Sequence, residues 1–201
     1  VSGQGADFST GDPNPAPDVW EQTDQALAFG PGQGLQRDSG LLAGRTDWAW
    51  SGWFNAAATG GTFYAEGDSN AVLRIGLETA GLVVEGGGNV AVQVGVGDGH
   101  LAWNAWNHLV VTQDAAGGTA ALRIYLNGRL MSAAAPMTSS GASRAVLGAA
   151  PSGASMADAL RGRMDDVGLW ARSLTSNEVA QLFDARRPYV RPLTDYDGPV
   201  D

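Results

Sequence analysis

Two histidines, five glutamates and seven tryptophans are the side chains best suited to chemistry or ligand contact here, and neither cysteine nor lysine accompanies them. Without cysteine there is no thiol nucleophile, thiolate metal site or disulfide. Without lysine, Schiff-base chemistry and the phosphate-gripping lysine of nucleotide-binding loops are excluded. His100 or His108 could formally join a serine and an aspartate in a triad, but no Gly-x-Ser-x-Gly turn is present to lift a serine out of a sheet. His100 sits in the loop-like GDGHLAWNAW segment, together with Asp98, Trp103 and Asn104. Sugar CH faces stack on aromatic rings and sugar hydroxyls need a few polar partners, so Trp103, His100, Asp98 and Asn104 are the candidate ligand-binding set. The competing reading of Trp103 is an aromatic that closes one end of the fold.

The elements that must position these groups read as strands. Short apolar runs bounded by turn residues recur at 25–30, 47–56, 61–66, 71–78, 81–86, 89–96, 108–113, 121–128, 144–149 and 162–172, the pattern of an all-β domain. In the second run Trp48, Trp50, Gly52 and Phe54 alternate with Ala49, Ser51, Trp53 and Asn55. Both faces carry aromatics, so both are expected to be covered or used. Asn127-Gly128 suits a two-residue turn with positive φ at both positions, returning RLMSA as the paired strand. LTSNEVAQLFDA, residues 174–185, supplies one helix, with Thr175 and Glu178 as a capping box and Leu174 and Val179 as a hydrophobic staple.

Residues 1–23 have only Phe8, Val19 and Trp20 as apolar anchors, and residues 187–201 carry three prolines without periodicity. The reading is an extended arm, a domain at 24–186 and an extended tail. No run approaches the roughly 18 apolar residues of a membrane helix, and the first residues lack the basic start and apolar centre of a secretory signal. A net charge of −9, with Arg186, Arg187 and Arg191 as the one basic cluster, argues against nucleic acid as a partner.

ALAFG at 26–30, TDWAWSGWFN at 46–55, WNHLVVTQD at 106–114 followed by LRIYLNG at 122–128, and GRMDDVGLWARSLTSNEVAQLF at 162–183 stand in an order that resembles the laminin-G-like branch of the concanavalin A-like lectin and glucanase superfamily. The resemblance spans about 160 residues. It implies a two-sheet antiparallel jelly-roll sandwich with one short C-terminal helix, one sheet concave and the other convex. It places Trp53, Trp106 and Trp170 at core positions, leaving Trp20, Trp48, Trp50 and Trp103 for contact, and makes His108 a structural histidine at a strand start. Glucanase members arrange Glu-x-Asp-x-x-Glu along one strand; Glu66-Gly-Asp68 begins that pattern, but Ala71 stands where the second glutamate is needed. Family members often hold a structural Ca²⁺ near the strand that contains Asp165 and Asp166. Calcium takes six to eight oxygens, and adjacent strand residues point to opposite faces, so at most one of the pair is expected to ligate. The first strand continues Phe29-Gly30 where the family has Phe-Asp-Gly, which removes a carboxylate from that site.

The function expected from these features is a non-catalytic structural or interaction module of a larger assembly, such as a phage head-decoration, fibre or tail protein on the virion surface. Its arm and tail would grip protein subunits of that assembly. The alternative is a carbohydrate-binding or adhesive module of a bacterial cell surface, and a glycoside hydrolase is the remote third.

Overall fold

A computed structural model of the chain describes residues 13–68, 70–95 and 101–186. The chain opens with β1 (Asn14–Ala16), β2 (Ala26–Phe29), β3 (Leu35–Arg37), β4 (Trp48–Ala56) and β5 (Thr62–Gly67). It continues through β6 (Ala71–Glu78), β7 (Gly81–Gly86), β8 (Asn89–Val94), β9 (Trp106–Gln113), a 3-10 turn (Ala115–Ala120), β10 (Leu122–Leu126) and β11 (Arg129–Ala134). It ends with β12 (Ala145–Leu147), β13 (Ala150–Ser152), β14 (Ser155–Ala157), β15 (Gly162–Trp170) and the helix α1 (Ser176–Arg186). Two antiparallel sheets form the sandwich, one of seven strands in the order β1-β2-β15-β4-β9-β10-β11 and one of six in the order β3-β12-β5-β6-β7-β8. β13 and β14 make a separate hairpin. The strand pattern announced an all-β domain, and the sandwich is the jelly roll that the family resemblance implied.

β4 shows why both of its faces are apolar. Trp48, Trp50 and Phe54 point between the sheets, where Phe54 meets Phe63 at 4.6 Å and Leu73, Ile75, Leu109 and Ile124 complete the core. Each large side chain buried there contributes about 1.5–3 kcal/mol, and no disulfide supplements that burial. On the opposite face Ala49 packs with Val110, Tyr125, Leu174 and Val179, while Trp53 stacks on Phe183 at 5.7 Å. The helix α1 therefore covers the outer face of the seven-stranded sheet. Trp48 and Trp50 are lost as contact candidates, because their face of the strand is the one between the sheets.

Local signals set the helix and its neighbouring turn. The Thr175 amide and hydroxyl donate to Glu178 Oε2 at 2.8 and 2.9 Å, and the Glu178 amide donates back to Thr175 Oγ1 at 3.3 Å. The Arg172 guanidinium holds Glu178, together with the Thr175 bonds, at a pKa of about 2. Replacing Thr175 with alanine removes the cap and should cost about 1 kcal/mol. Thermal unfolding checks this as a fall in melting temperature of about 2–4 °C. Asn127 and Gly128 adopt φ of 51° and 77° between paired Leu126 and Arg129, as the turn requires. A Cβ on Gly128 would also stand 2.9 Å from the Phe183 ring, so glycine is needed there twice over.

The N-terminal boundary differs from the expectation. Residues 14–16 pair with β2, Pro15 opposite Leu27, so the second half of the arm belongs to the sandwich. The proline is tolerated because β1 is an edge strand whose outer side has no ladder bond to make. Asp18 fixes the following turn by accepting from the amides of Trp20 and Gln22, both at 2.8 Å. Residues 1–12 and the tail 187–201 lie outside the described residues.

Candidate functional site: a rim loop and a groove beside the helix

Of the predicted ligand-binding set, Trp103 and Asn104 are described, while Asp98 and His100 lie outside the described residues. Trp103 is 38% exposed. Its loop is held from beneath by Asn107, which is fully buried. The Asn107 side chain accepts from the Ala102 amide at 3.0 Å and donates to the carbonyls of Ala102 and Ala105 at 2.7 and 3.0 Å. The Asn104 amide donates to Ala56 O at 3.0 Å, tying the loop to the end of β4, and Asn104 takes a positive φ of 54°. Asn127 in turn donates to Asn107 Oδ1 at 3.2 Å and accepts from the His108 amide at 2.8 Å. Asn107 was not singled out in the sequence. Its signal is a polar residue on the same phase of β9 as the apolar Leu109 and Val111.

Asp165 and Asp166 do not sit on opposite faces of a regular strand. Asp165 pairs with Trp53 and Gly168 with Ser51, three steps on β15 against two on β4, so a bulge falls at Asp166 and Val167. Asp166 takes φ of 47°, and its amide donates to Asp165 Oδ1 at 2.7 Å. The bulge overrides the alternation assumed from sequence, because an extra residue shifts the side-chain phase. For calcium this supplies two carboxylates, one oxygen already holding an amide. Among the described residues no group of three or more Asp, Glu, His or Cys is placed to share an ion. That donor set does not by itself fit a shell of six to eight oxygens. The expected result is a melting curve unchanged between chelator and millimolar calcium; a rise abolished by Asp165→Asn would instead put an ion at the bulge.

The bulge opens a groove of about 450 Å³ between β15 and α1, lined by Ser51, Asp166, Gly168, Trp170, Leu182 and Ala185 among others. Trp170 was expected to be core but is only half-buried. The six-membered end of its indole sits against Gly168, where a Cβ would come within 2.3 Å of the ring. The reason is that Gly168 and Trp170 share the outer face two residues apart, leaving the ring resting on bare backbone. Trp106, also expected in the core, is likewise half-buried, with the Arg163 guanidinium 5.3 Å from its ring centre.

His108 is buried and sits against Trp53 and Phe183, with ring centres 5.1 and 6.0 Å away. Its Nδ1 has no hydrogen-bond partner, and the ring packs between the two aromatics. Burial lowers its pKa to about 4 and keeps it neutral. Among the described residues no serine or aspartate is bonded to Nδ1, the position from which a triad's acid orients its imidazole.

Four of the five glutamates are engaged in structural contacts. Glu66 is fully buried and accepts from the amides of Leu41, Leu42 and Ala43 at 2.9, 2.6 and 3.0 Å and from the Tyr64 hydroxyl. Burial, and then the Glu66 charge, raise the Tyr64 pKa and keep its hydroxyl a donor. Glu78 and Glu85 flank Arg74 at 2.8 and 2.9 Å. Glu178 serves the helix cap. Asp68, second in the partial Glu-x-Asp pattern, accepts from the Ser143 hydroxyl and amide.

Comparison with known proteins gives the same architecture. A comparison with curated proteins finds no match. Among solved structures, domain 4 of an extracellular arabinanase from Geobacillus stearothermophilus, in complex with arabinotriose, superposes with a TM-score of 0.58 at 20% identity, covering 78% of this chain and 75% of that one. A pentraxin from Limulus polyphemus gives a TM-score of 0.58 at 13% identity over 75% of each chain. The binding domain of botulinum neurotoxin DC in complex with rat synaptotagmin II gives 0.65 at 13% identity, over 92% of this chain and 48% of that one. At these identities the likeness is one of fold. A laminin-G-like family model described as the concanavalin A-like lectin and glucanase superfamily matches residues 29–180, and the chain belongs to that family.

Proposed function

We propose that this domain is a non-catalytic recognition module whose ligand is a glycan, bound at the rim loop carrying Trp103. The observation that carries the reading is an indole 38% exposed on a loop fixed by the buried Asn107. A ring already held in place loses little freedom when a sugar stacks on it. Support for binding over turnover comes from the glutamates. Hydrolysis by a retaining mechanism needs two carboxylates about 5 Å apart and free to react, whereas Glu66, Glu78, Glu85 and Glu178 are committed to amides, to Arg74 and to the cap. The arabinotriose-bound arabinanase domain and a toxin binding domain solved with SialylT share the architecture.

Titration of the full chain with a panel of oligosaccharides, followed by NMR or calorimetry, tests this. Trp103→Ala should weaken the best ligand about tenfold, the scale of one lost stacking contact, with the melting temperature within about 1 °C of wild type, as for other exposed substitutions. Absence of binding across the panel, or binding indifferent to Trp103→Ala, would sink the proposal.

Assembly with protein subunits through the two ends, in a virion or on a cell surface, is the second reading. The described part of the arm completes its own chain's sheet, which favours glycan recognition over assembly. A defined oligomer in light scattering on the full chain would reverse that order. Weak sugar contacts made by many copies would still give useful avidity, so the two readings are compatible.

A further inference from the structure

We infer that the groove between β15 and α1 is a binding site for a small neutral phenol, with Trp53 and His108 as the partners of its hydroxyl and Trp170 and Leu182 as the walls against its ring. The site lies on the outer face of the seven-stranded sheet and is independent of the glycan reading, which uses the Trp103 loop.

The groove exists because small residues meet across two strands. β15 sets Gly168 opposite Ser51 and Trp170 opposite Ala49. Ser51 and Gly168 fill little of the space between the sheet and the helix, while Leu182 and Ala185 of α1 form the far wall. The room left is about 450 Å³, the size of a small-molecule site.

Two polar atoms at this groove lack partners. Trp53 and His108 stand opposite one another on β4 and β9, each only 2% exposed, and both line the groove. Among the described residues, the indole Nε1 of Trp53 and the imidazole Nδ1 of His108 make no hydrogen bond. Buried polar atoms are nearly always paired, so two orphans on one groove call for a common partner. The indole only donates, whereas the imidazole, held neutral by burial, donates or accepts at Nδ1 according to its tautomer. A hydroxyl answers both cases, since its oxygen accepts two bonds and its proton can be given to Nδ1. The ring centres lie 5.1 Å apart, and one oxygen bonded at about 2.8 Å on each side spans up to about 5.6 Å. A carboxylate has no proton to give and would enter a chain whose net charge is already −9.

The remaining walls select the body of the molecule. Val167, Trp170 and Leu182 are apolar, and a flat ring packs well against an indole. A sugar carries several hydroxyls, most of which would be stranded against these walls without partners. Neither orphan nitrogen is open to bulk water, so the ligand enters by parting the walls; Trp170 and Leu182, both only partly buried, are the ones able to give way.

NMR titration of the isotope-labelled full chain with p-cresol, toluene and p-toluate tests this, because the three probes share one ring and differ in the polar group. p-Cresol should move the Trp53 indole N–H resonance along a saturating curve, toluene should bind about tenfold more weakly, and p-toluate should not bind. In Trp53→Phe and in His108→Phe the affinity for p-cresol should fall to within about twofold of that for toluene. The wild-type comparison needs no substitution, so it decides the matter even if a variant fails to fold. No binding of p-cresol, equal affinity for toluene, tighter binding of p-toluate, or shifts that leave Trp53 and Leu182 unmoved would overturn the inference, as would undiminished affinity in the two variants.

Discussion

Replacing Glu66 with alanine is expected to destabilise the domain by about 3–5 kcal/mol, the largest single-residue loss among those considered. The carboxylate lies on β5 in the six-stranded sheet, yet the amides it accepts belong to Leu41, Leu42 and Ala43, in the segment that carries the chain from β3 in that sheet across to β4 in the other. Leu42 is buried, so its amide cannot turn to water when the acceptor is removed. Gly40 lies so close that a Cβ would approach Glu66 Oε2 to 2.6 Å, leaving no room for the segment to settle elsewhere. In a domain whose total stability is about 5–15 kcal/mol such a loss is a large share, and for this size it lowers the melting temperature by about 10 °C. Glu66→Gln keeps the shape but turns a donor toward an amide, so an intermediate loss is expected, whereas Tyr64→Phe should cost about 1 kcal/mol. Thermal and urea unfolding of the three variants check the order. A Glu66→Ala loss below about 1 kcal/mol would refute the anchoring role. Turnover of a β-glucan that disappears in Glu66→Gln while stability holds would return this residue to catalysis.

Stability is expected to fall by about 3 kcal/mol as pH drops from about 6.5 to about 4, because His108 is buried neutral. The sign follows from proton counting. The unfolded chain binds a proton at His108 near pH 6.5, whereas the folded chain resists it until about pH 4. Between those values the unfolded state holds more protons, so acid favours unfolding. Above pH 6.5 the contribution is fully present. Glu178, with its pKa held near 2 by Arg172 and Thr175, loses its contribution from about pH 4.5 downward and so overlaps only the acid end of the range, where the His108→Phe variant, which keeps Glu178, subtracts it. His108→Phe keeps an aromatic ring between Trp53 and Phe183 and removes the titration. Urea midpoints measured from pH 4 to 7 should show a slope in the wild type and a much flatter line in the variant. An equal slope in both would exclude His108 as its source.

The features legible in the sequence are those whose causes are local. The capping box at Thr175 and Glu178, the staple of Leu174 and Val179, and the turn at Asn127-Gly128 each depend on residues within five positions, and each formed as read. The alternation of β4 held as well, since period two needs only a strand. Where partners lie far apart the sequence was silent. Nothing near Glu66 announces amides 23 to 25 residues earlier, so it could be weighed only as a candidate acid. The bulge at Asp166 was hidden for a related reason: one extra residue leaves no mark on composition but reverses which face each side chain takes. Trp170 was assigned to the core, and its half-open position depends on Gly168 two residues before it, a spacing that has meaning only once the strand's outer face is known. The strands of three residues, β1, β3, β12, β13 and β14, are too short to carry a period at all, and only β12 falls within an apolar run visible in the sequence, at 144–149.

The place of β15 in the seven-stranded sheet has a consequence for how the chain can fold. Among the described residues it is the last strand in sequence, yet it lies between β2 and β4, two of the early ones. During synthesis β2 and β4 leave the ribosome without the strand that joins them, and more than a hundred further residues must follow before Gly162–Trp170 can be inserted. Until then each presents an open edge, and β4 is among the most apolar stretches in the chain. Closure is therefore a late event of high contact order. A ribosome that stops short of residue 170 releases a chain with two unpaired edges and no native route to cover them, a substrate for chaperones rather than a smaller version of the domain.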